Sequence, residues 1–175
     1  ALLAPALPSA RAAYEDWTYR TKIRFAGYDK AEALSNFPML VVLNTSSIPG
    51  FLYSDFGSPT DGADLRFAAS DEMTELNYEI DQWDTNGSSY VWVQVPSIAG
   101  TGDCIYAYWG KATNAAACTT NGSTWADGFK GVWHLAETSG AQADSTTNRN
   151  GATMSGTVLQ GISGFIGGAD DCTSG

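Results

Sequence analysis

The chain has 175 residues, enough for one domain or for one domain and part of a second. Hydrophobic residues make up 43% of the sequence, which excludes disorder over most of its length. The formal net charge of −10 repels a phosphate backbone, so we expect no nucleic-acid partner.

The first twelve residues have the character of the end of a secretory signal peptide. They are mostly small and apolar, and Ala10-Arg11-Ala12 fits the small-x-small pattern of a cleavage site. We therefore predict that residues 1–12 are a signal-peptide remnant and that the protein is extracytoplasmic: periplasmic, on the cell surface or secreted. No later segment has the roughly 20 apolar residues that span a bilayer, so we expect no membrane span.

Alternating apolar and polar residues predict the first strands. Residues 17–25 alternate, with basic side chains on one face, which indicates a half-buried strand. Residues 37–43 form a continuous apolar run, which predicts a buried strand. Residues 63–69 place Leu65 and Phe67 on one face of a third strand.

Three more strands are predicted at residues 75–83, 90–95 and 104–109, with a hairpin at Asn86-Gly87. No segment of about 12 residues has a helical period after the N-terminal remnant. The pattern predicts an all-β protein whose first domain, residues 13–112, is an antiparallel, jelly-roll-like β-sandwich.

The sequence changes character after this domain. Residues 113–128 are small and polar and predict a linker. Residues 129–175 begin with a predicted short strand at 131–135 and continue as a glycine-rich segment. This second unit is too short to form an independent core without disulfides or metals.

Six short pieces of the first domain, in order, carry a resemblance to a known family. They lie at residues 17–20, 36–41, 62–67, 78–83, 91–96 and 105–110. Over residues 14–112 the chain resembles a bacterial domain of unknown function that occurs in secreted proteins and in ExbB-like biopolymer-transport proteins. In some ExbB-like proteins a proton-channel domain follows this domain. The resemblance therefore implies a downstream proton-channel domain as a partner. The family has no established catalytic residues to carry over.

The second unit resembles the start of a laminin-G-like, concanavalin A-like domain. Residues 132–137, 144–146 and 150–151 carry this resemblance. It implies an incomplete second jelly roll, and it implies that His134 is a framework residue of a strand.

Two arrangements of side chains in this sequence bear on catalysis. A nucleophilic site needs a histidine, and the chain has only His134. Glycoside hydrolysis needs two carboxylates, and Glu75, Glu79 and Asp81 share one face of a predicted strand. Alternating acids opposite apolar residues are also typical of a solvated strand face, and we favour that interpretation. We predict that the chain is not an enzyme.

Aromatic residues give the leading functional hypothesis, a non-catalytic module that binds carbohydrate or a cell-envelope polymer. Planar rings stack on sugar C–H faces, and amides bond to hydroxyl groups. The candidate ligand-binding residues are Trp83, Tyr90, Trp92, Gln94 and Trp109. Rings in a small sandwich also serve as core. The alternatives are a structural, periplasmic part of an ExbB-like transport protein and an accessory domain of a glycoside hydrolase.

Acidic residues and cysteines give two further expectations. Asp61, Asp64 and Asp144 are candidate ligands of a structural Ca²⁺, although aspartates in such turns also bond to their own backbone. In an oxidising compartment Cys104 pairs most plausibly with Cys118, which leaves Cys172 without a partner.

Overall fold

The computed structural model describes residues 13–111 and 121–173, in which the regular structure consists of β-strands and short 3-10 turns. The first six strands are β1 (Trp17–Arg24), β2 (Leu34–Leu43), β3 (Arg66–Ala68), β4 (Tyr78–Gln82), β5 (Ser89–Ile98) and β6 (Cys104–Lys111). They form two antiparallel sheets with the orders β1-β6-β3 and β2-β5-β4. The predicted all-β class is confirmed.

The two sheets pack face to face around one apolar core, which makes this unit a β-sandwich. The β1-β6-β3 sheet contributes Phe67 and Ile105, and the β2-β5-β4 sheet contributes Val91, Val93 and Val95. Each of these side chains is at most 2% exposed. The alternation predicted for β5 is therefore confirmed: its valines face the core, and its intervening residues face outward.

Strand β2 differs from its prediction as a buried strand. The order β2-β5-β4 places it at a sheet edge. Only Val41 and Leu43 are buried, whereas Phe37 and Val42 are exposed. An apolar run of this length is typical of a strand covered on both faces, but the outward face of β2, which carries Val42, is exposed. Pro38 suits this position because an edge strand has no need of every backbone N–H.

Residues 121–173 depart from the predicted pattern at their start. Residues 131–135 form no strand, and Leu135 has a φ of 57°, which turns the chain out of an extended path. The strands of this unit are β7 (Leu159–Ser163) and β8 (Gly168–Asp171), which pair with each other. Trp125, in the predicted linker, is buried. Further along the described chain, the buried residues are Gln142, Asp144 and Thr146.

Several expectations fall on residues outside this description. The proposed signal-peptide remnant, residues 1–12, lies outside it, and so does Cys118. Cys104 begins β6, and neither Cys104 nor Cys172 is in a disulfide with a described residue.

Within the described ranges, no helix has the length and hydropathy of a transmembrane segment.

Candidate functional site

The candidate site lies on the outer face of the β2-β5-β4 sheet. Because side chains alternate along a strand, the buried valines of β5 direct Tyr90, Trp92 and Gln94 to this outer face. Trp92 is paired with Glu79 on β4 and with Leu40 on β2. The sheet therefore places a tryptophan between an acidic and an apolar residue.

A short turn in the segment predicted as a linker covers part of this face. Residues Ser123–Trp125 form a 3-10 turn that follows Gly122, whose φ is 87°. A Cβ at Gly122 would lie 2.5 Å from the backbone nitrogen of Thr147, so both the conformation and the space there require glycine. The turn directs Trp125 onto the sheet, where it is 5% exposed and its ring centroid lies 5.4 Å from that of Trp92.

His134 lies beside Trp125 and between two carboxylates of β4. Its Nδ1 is 3.0 Å from Oδ2 of Asp81, and its Nε2 is 3.4 Å from Oε1 of Glu79. The first contact has hydrogen-bond length, and the second is a longer ion-pair contact. The side chains of His134 and Asp81 are 16% and 3% exposed, so water screens the pair only weakly.

Three further donors complete the cluster. The indole N–H of Trp125 donates to Oε2 of Glu79, and the hydroxyl of Ser145 donates to Oε1 at 2.6 Å. The indole N–H of Trp92 donates to Oδ2 of Asp81 at 3.0 Å. The other oxygen of Asp81, Oδ1, is buried and has no hydrogen-bond partner among the described residues. We call Glu79, Asp81, Trp92, Trp125, His134 and Ser145 the His134 cluster.

The electrostatics of the His134 cluster favour the charged forms of its histidine and its glutamate. Burial by itself lowers the pKa of His134, but the contacts with Asp81 and Glu79 outweigh it and raise this pKa to about 9. Burial raises the pKa of Glu79, but contacts with His134, Ser145 and Trp125 hold it below its usual value. At neutral pH an imidazolium therefore faces an ionised Glu79.

The arrangement is a buried ion cluster, and Glu79 does not suit the part of a general acid. The general acid of a glycosidase has a raised pKa, and the pKa of Glu79 is lowered. The two nitrogens of His134 point to different carboxylates, so they do not converge on one metal position. No group of three or more potential metal ligands occurs in residues 13–111 and 121–173.

The prediction of a solvated face was wrong for Glu79 and Asp81. Glu75 is exposed, as expected, but Glu79 and the side chain of Asp81 are buried beneath the second unit. His134 is a partner of these acids and does not lie in a strand. Sequence reasoning missed Trp125 and Ser145. The signal was a single large ring, Trp125, in an otherwise small and polar segment.

The predicted ligand-binding residues divide into two groups. Tyr90, Trp92 and Gln94 are neighbours on the outer face of β5 and are partly exposed. Trp83 lies against Tyr53 and Phe56 at the margin of the core, and its indole N–H donates to the carbonyl of Pro59.

Trp109 lies inside the sandwich, which corrects its selection as a surface platform. Its ring is 4% exposed and packs against Phe51 and Phe56. As an inward-facing residue of β6 it has no surface on which a sugar can stack. Its inward position follows from the alternation that also buries Ile105 and Ala107.

The three aspartates predicted as calcium ligands each hold a loop. Asp64 accepts hydrogen bonds from the backbone N–H groups of Gly57, Ser58, Gly110 and Lys111. Its pKa stays below the usual value because these bonds outweigh the effect of burial.

The other two aspartates act in the same way. Asp61 accepts the N–H of Ala63. Asp144 accepts those of Val132, Thr146 and Asn150, which overcome the effect of burial and lower its pKa to about 2. These contacts agree with turn formation, the alternative interpretation of the aspartates.

Comparison with known proteins gives one match. Residues 61–147 match the family model of a domain of unknown function, DUF2341. The match begins just before β3, covers β3 to β6 and ends at residue 147, so it includes all members of the His134 cluster. It supports the resemblance to a domain of unknown function over these residues. No curated protein and no solved structure matches the chain.

Proposed function

We propose that the chain is a non-catalytic, extracytoplasmic module that binds carbohydrate or a cell-envelope polymer on the outer face of the β2-β5-β4 sheet. One observation carries this proposal: β5 presents Tyr90, Trp92 and Gln94 side by side and partly exposed. Alternate residues of a strand lie about 7 Å apart, so these side chains form a short row along a flat surface. Rings in such a row can stack on sugars while the amide bonds to hydroxyl groups.

The surroundings of Trp92 support a rigid platform. Its indole N–H is bonded to Asp81, and its ring packs against Trp125. A side chain already held in place loses little conformational entropy when a ligand binds. The apolar surface continues onto β2, where Leu40 is partly exposed and Val42 is exposed.

Gln94 supplies polar contacts at the end of the row. Its Oε1 accepts a hydrogen bond from Nδ2 of Asn77 at 3.1 Å. This bond orients the amide and leaves its NH₂ group without an acceptor among the described residues. A donor fixed beside two aromatic rings suits a sugar hydroxyl.

The proposal is tested by titrating the full chain with cello-, chito- and soluble peptidoglycan oligosaccharides in a calorimeter. We expect Tyr90→Ala to weaken binding by about tenfold, as for an anchoring aromatic. Tyr106→Ala is the matched control, because Tyr106 is a partly buried tyrosine on the outer face of the other sheet, and it should bind like the unaltered chain. Absence of binding at millimolar concentration of every oligosaccharide would reject the proposal.

A second candidate is a structural role, as the periplasmic part of an ExbB-like transport protein with a downstream proton-channel domain as its partner. The His134 cluster favours it, because the buried ion pairs hold residues 123–145 against the sandwich and give a stiff unit. This candidate predicts that no oligosaccharide binds and that residues 123–145 resist proteolysis as long as the sandwich stays folded.

A further inference from the structure

A groove lies on the side of the sandwich opposite to β3 and β4. Strands β1 and β2 are each one of the two edge strands of their sheets, and the groove between them has a volume of about 590 Å³. Ile23, Met39 and Ile48 line it and are partly exposed although they pack against the core. The interior of the sandwich is thus accessible from this side.

Among the described residues, β1 has a neighbouring strand on only one of its two sides. β1 pairs with β6 on one side, and no described strand pairs with the other side. The backbone N–H and C=O groups on that side accordingly lack a strand partner among the described residues. Such an edge is a template for strand addition.

Basic residues are concentrated on the same strand. Three of the nine Lys and Arg residues of this acidic chain lie on β1, and they share its outward face: Arg20, Lys22 and Arg24. Arg20 pairs with Glu72, and Lys22 lies over the ring of Tyr106. No carboxylate of the described residues forms an ion pair with Lys22 or Arg24 within 4.0 Å.

We propose that the β1 edge and its groove bind an extended acidic segment of a partner protein by strand addition. A strand paired with β1 would alternate in the same way as β1 itself. Its inward side chains would be apolar and would contact Ile23, Met39 and Ile48 in the groove. Its outward side chains would be acidic and would lie directly across from Lys22 and Arg24, where opposite charges stabilise a cross-strand pair.

The charge on β1 selects the partner. Basic residues on an edge strand repel a second basic strand, which is one way in which proteins prevent unwanted pairing. They do not repel an acidic strand, so the same residues give specificity. Basic residues that only protect an edge from unwanted pairing do not need a groove beside them. The proposed binding does use the groove between β1 and β2, because the apolar side chains of the added strand would lie in it.

The test uses a fluorescently labelled octapeptide that alternates valine and glutamate, titrated into the full chain at low ionic strength. We expect a micromolar Kd from anisotropy and a loss of about tenfold in affinity for Arg24→Glu. Lys30→Glu is the control, because Lys30 is an exposed residue outside the groove and the variant has the same net charge. Its affinity should equal that of the unaltered chain.

Other outcomes overturn the proposal. They include no binding of the acidic peptide, an equal affinity for a peptide that alternates valine and lysine, and an equal loss in Lys30→Glu. Strand addition is also rejected if N-methylation of alternate peptide residues leaves the affinity unchanged. Reversible dimerisation in sedimentation experiments, abolished by Arg24→Glu, would assign the edge to a second copy of this chain.

Discussion

Nδ1 of His134 lies 3.0 Å from Oδ2 of Asp81, and this contact joins a residue of the second unit to a strand of the sandwich. The second carboxylate, Glu79, is on the same strand and contacts the other ring nitrogen. A buried ion pair costs desolvation, and its loss on one side leaves an uncompensated charge. The contact therefore makes the attachment of the second unit sensitive to protonation.

The free energy of unfolding should depend on pH through His134. Its pKa is about 9 in the folded chain and about 6.5 in the unfolded chain, so protonation favours folding. The contribution is fully present below about pH 6.5 and is lost as the pH rises towards 9. A difference of this size corresponds to about 3 kcal/mol.

Urea unfolding at pH 6.5 and pH 9.5 measures this loss. His134→Gln removes the titrating group and should flatten the profile over that interval. A decline of equal size in His134→Gln would show that other groups cause the pH dependence.

Truncation of Trp125 should be strongly destabilising. Trp125→Ala removes a buried ring that packs on Trp92 and His134 and also removes the indole donor to Glu79. We expect a loss of about 3–5 kcal/mol in the free energy of unfolding, measured by chemical denaturation. Phe165→Ala is the aromatic control, since Phe165 is 97% exposed, and its effect should stay within about 0.5 kcal/mol. Similar stabilities for the two variants would contradict the packing of the turn on the sheet.

Asp64 should matter more for stability than Asp61. Asp64→Asn replaces one carboxylate oxygen by an NH₂ group. It disrupts one or three of the four backbone N–H bonds, because three of them end on one oxygen and one on the other, and we expect a loss of about 2–3 kcal/mol. Asp61→Asn keeps an acceptor for its single bond and should cost less than about 1 kcal/mol. Thermal unfolding of both variants checks this. If EDTA destabilises the unaltered chain but has no effect on Asp64→Asn, Asp64 is a calcium ligand and the account in terms of backbone bonds is wrong.

The strands were predictable because each one repeats a short-range pattern. β5 shows this best: a valine at every second position is enough to predict which face is buried, and the structure agrees. Burial on β2 was not predictable, because an apolar run is compatible with cover on one face or on both. Whether another segment packs on the outward face depends on contacts between residues far apart in sequence, and in the structure Val42 on that face is exposed.

The sequence by itself determined the all-β class, the approximate positions of the six strands and the outward direction of Tyr90, Trp92 and Gln94, because these depend on alternation within a few residues. Only the tertiary structure decided that Glu79 and Asp81 are buried against His134, and that Trp109 is core. Glu75, Glu79 and Asp81 have the same local pattern, so what distinguishes them is the segment that packs on top. That segment lies about 50 residues further along the chain, and alternation carries no information over such a distance.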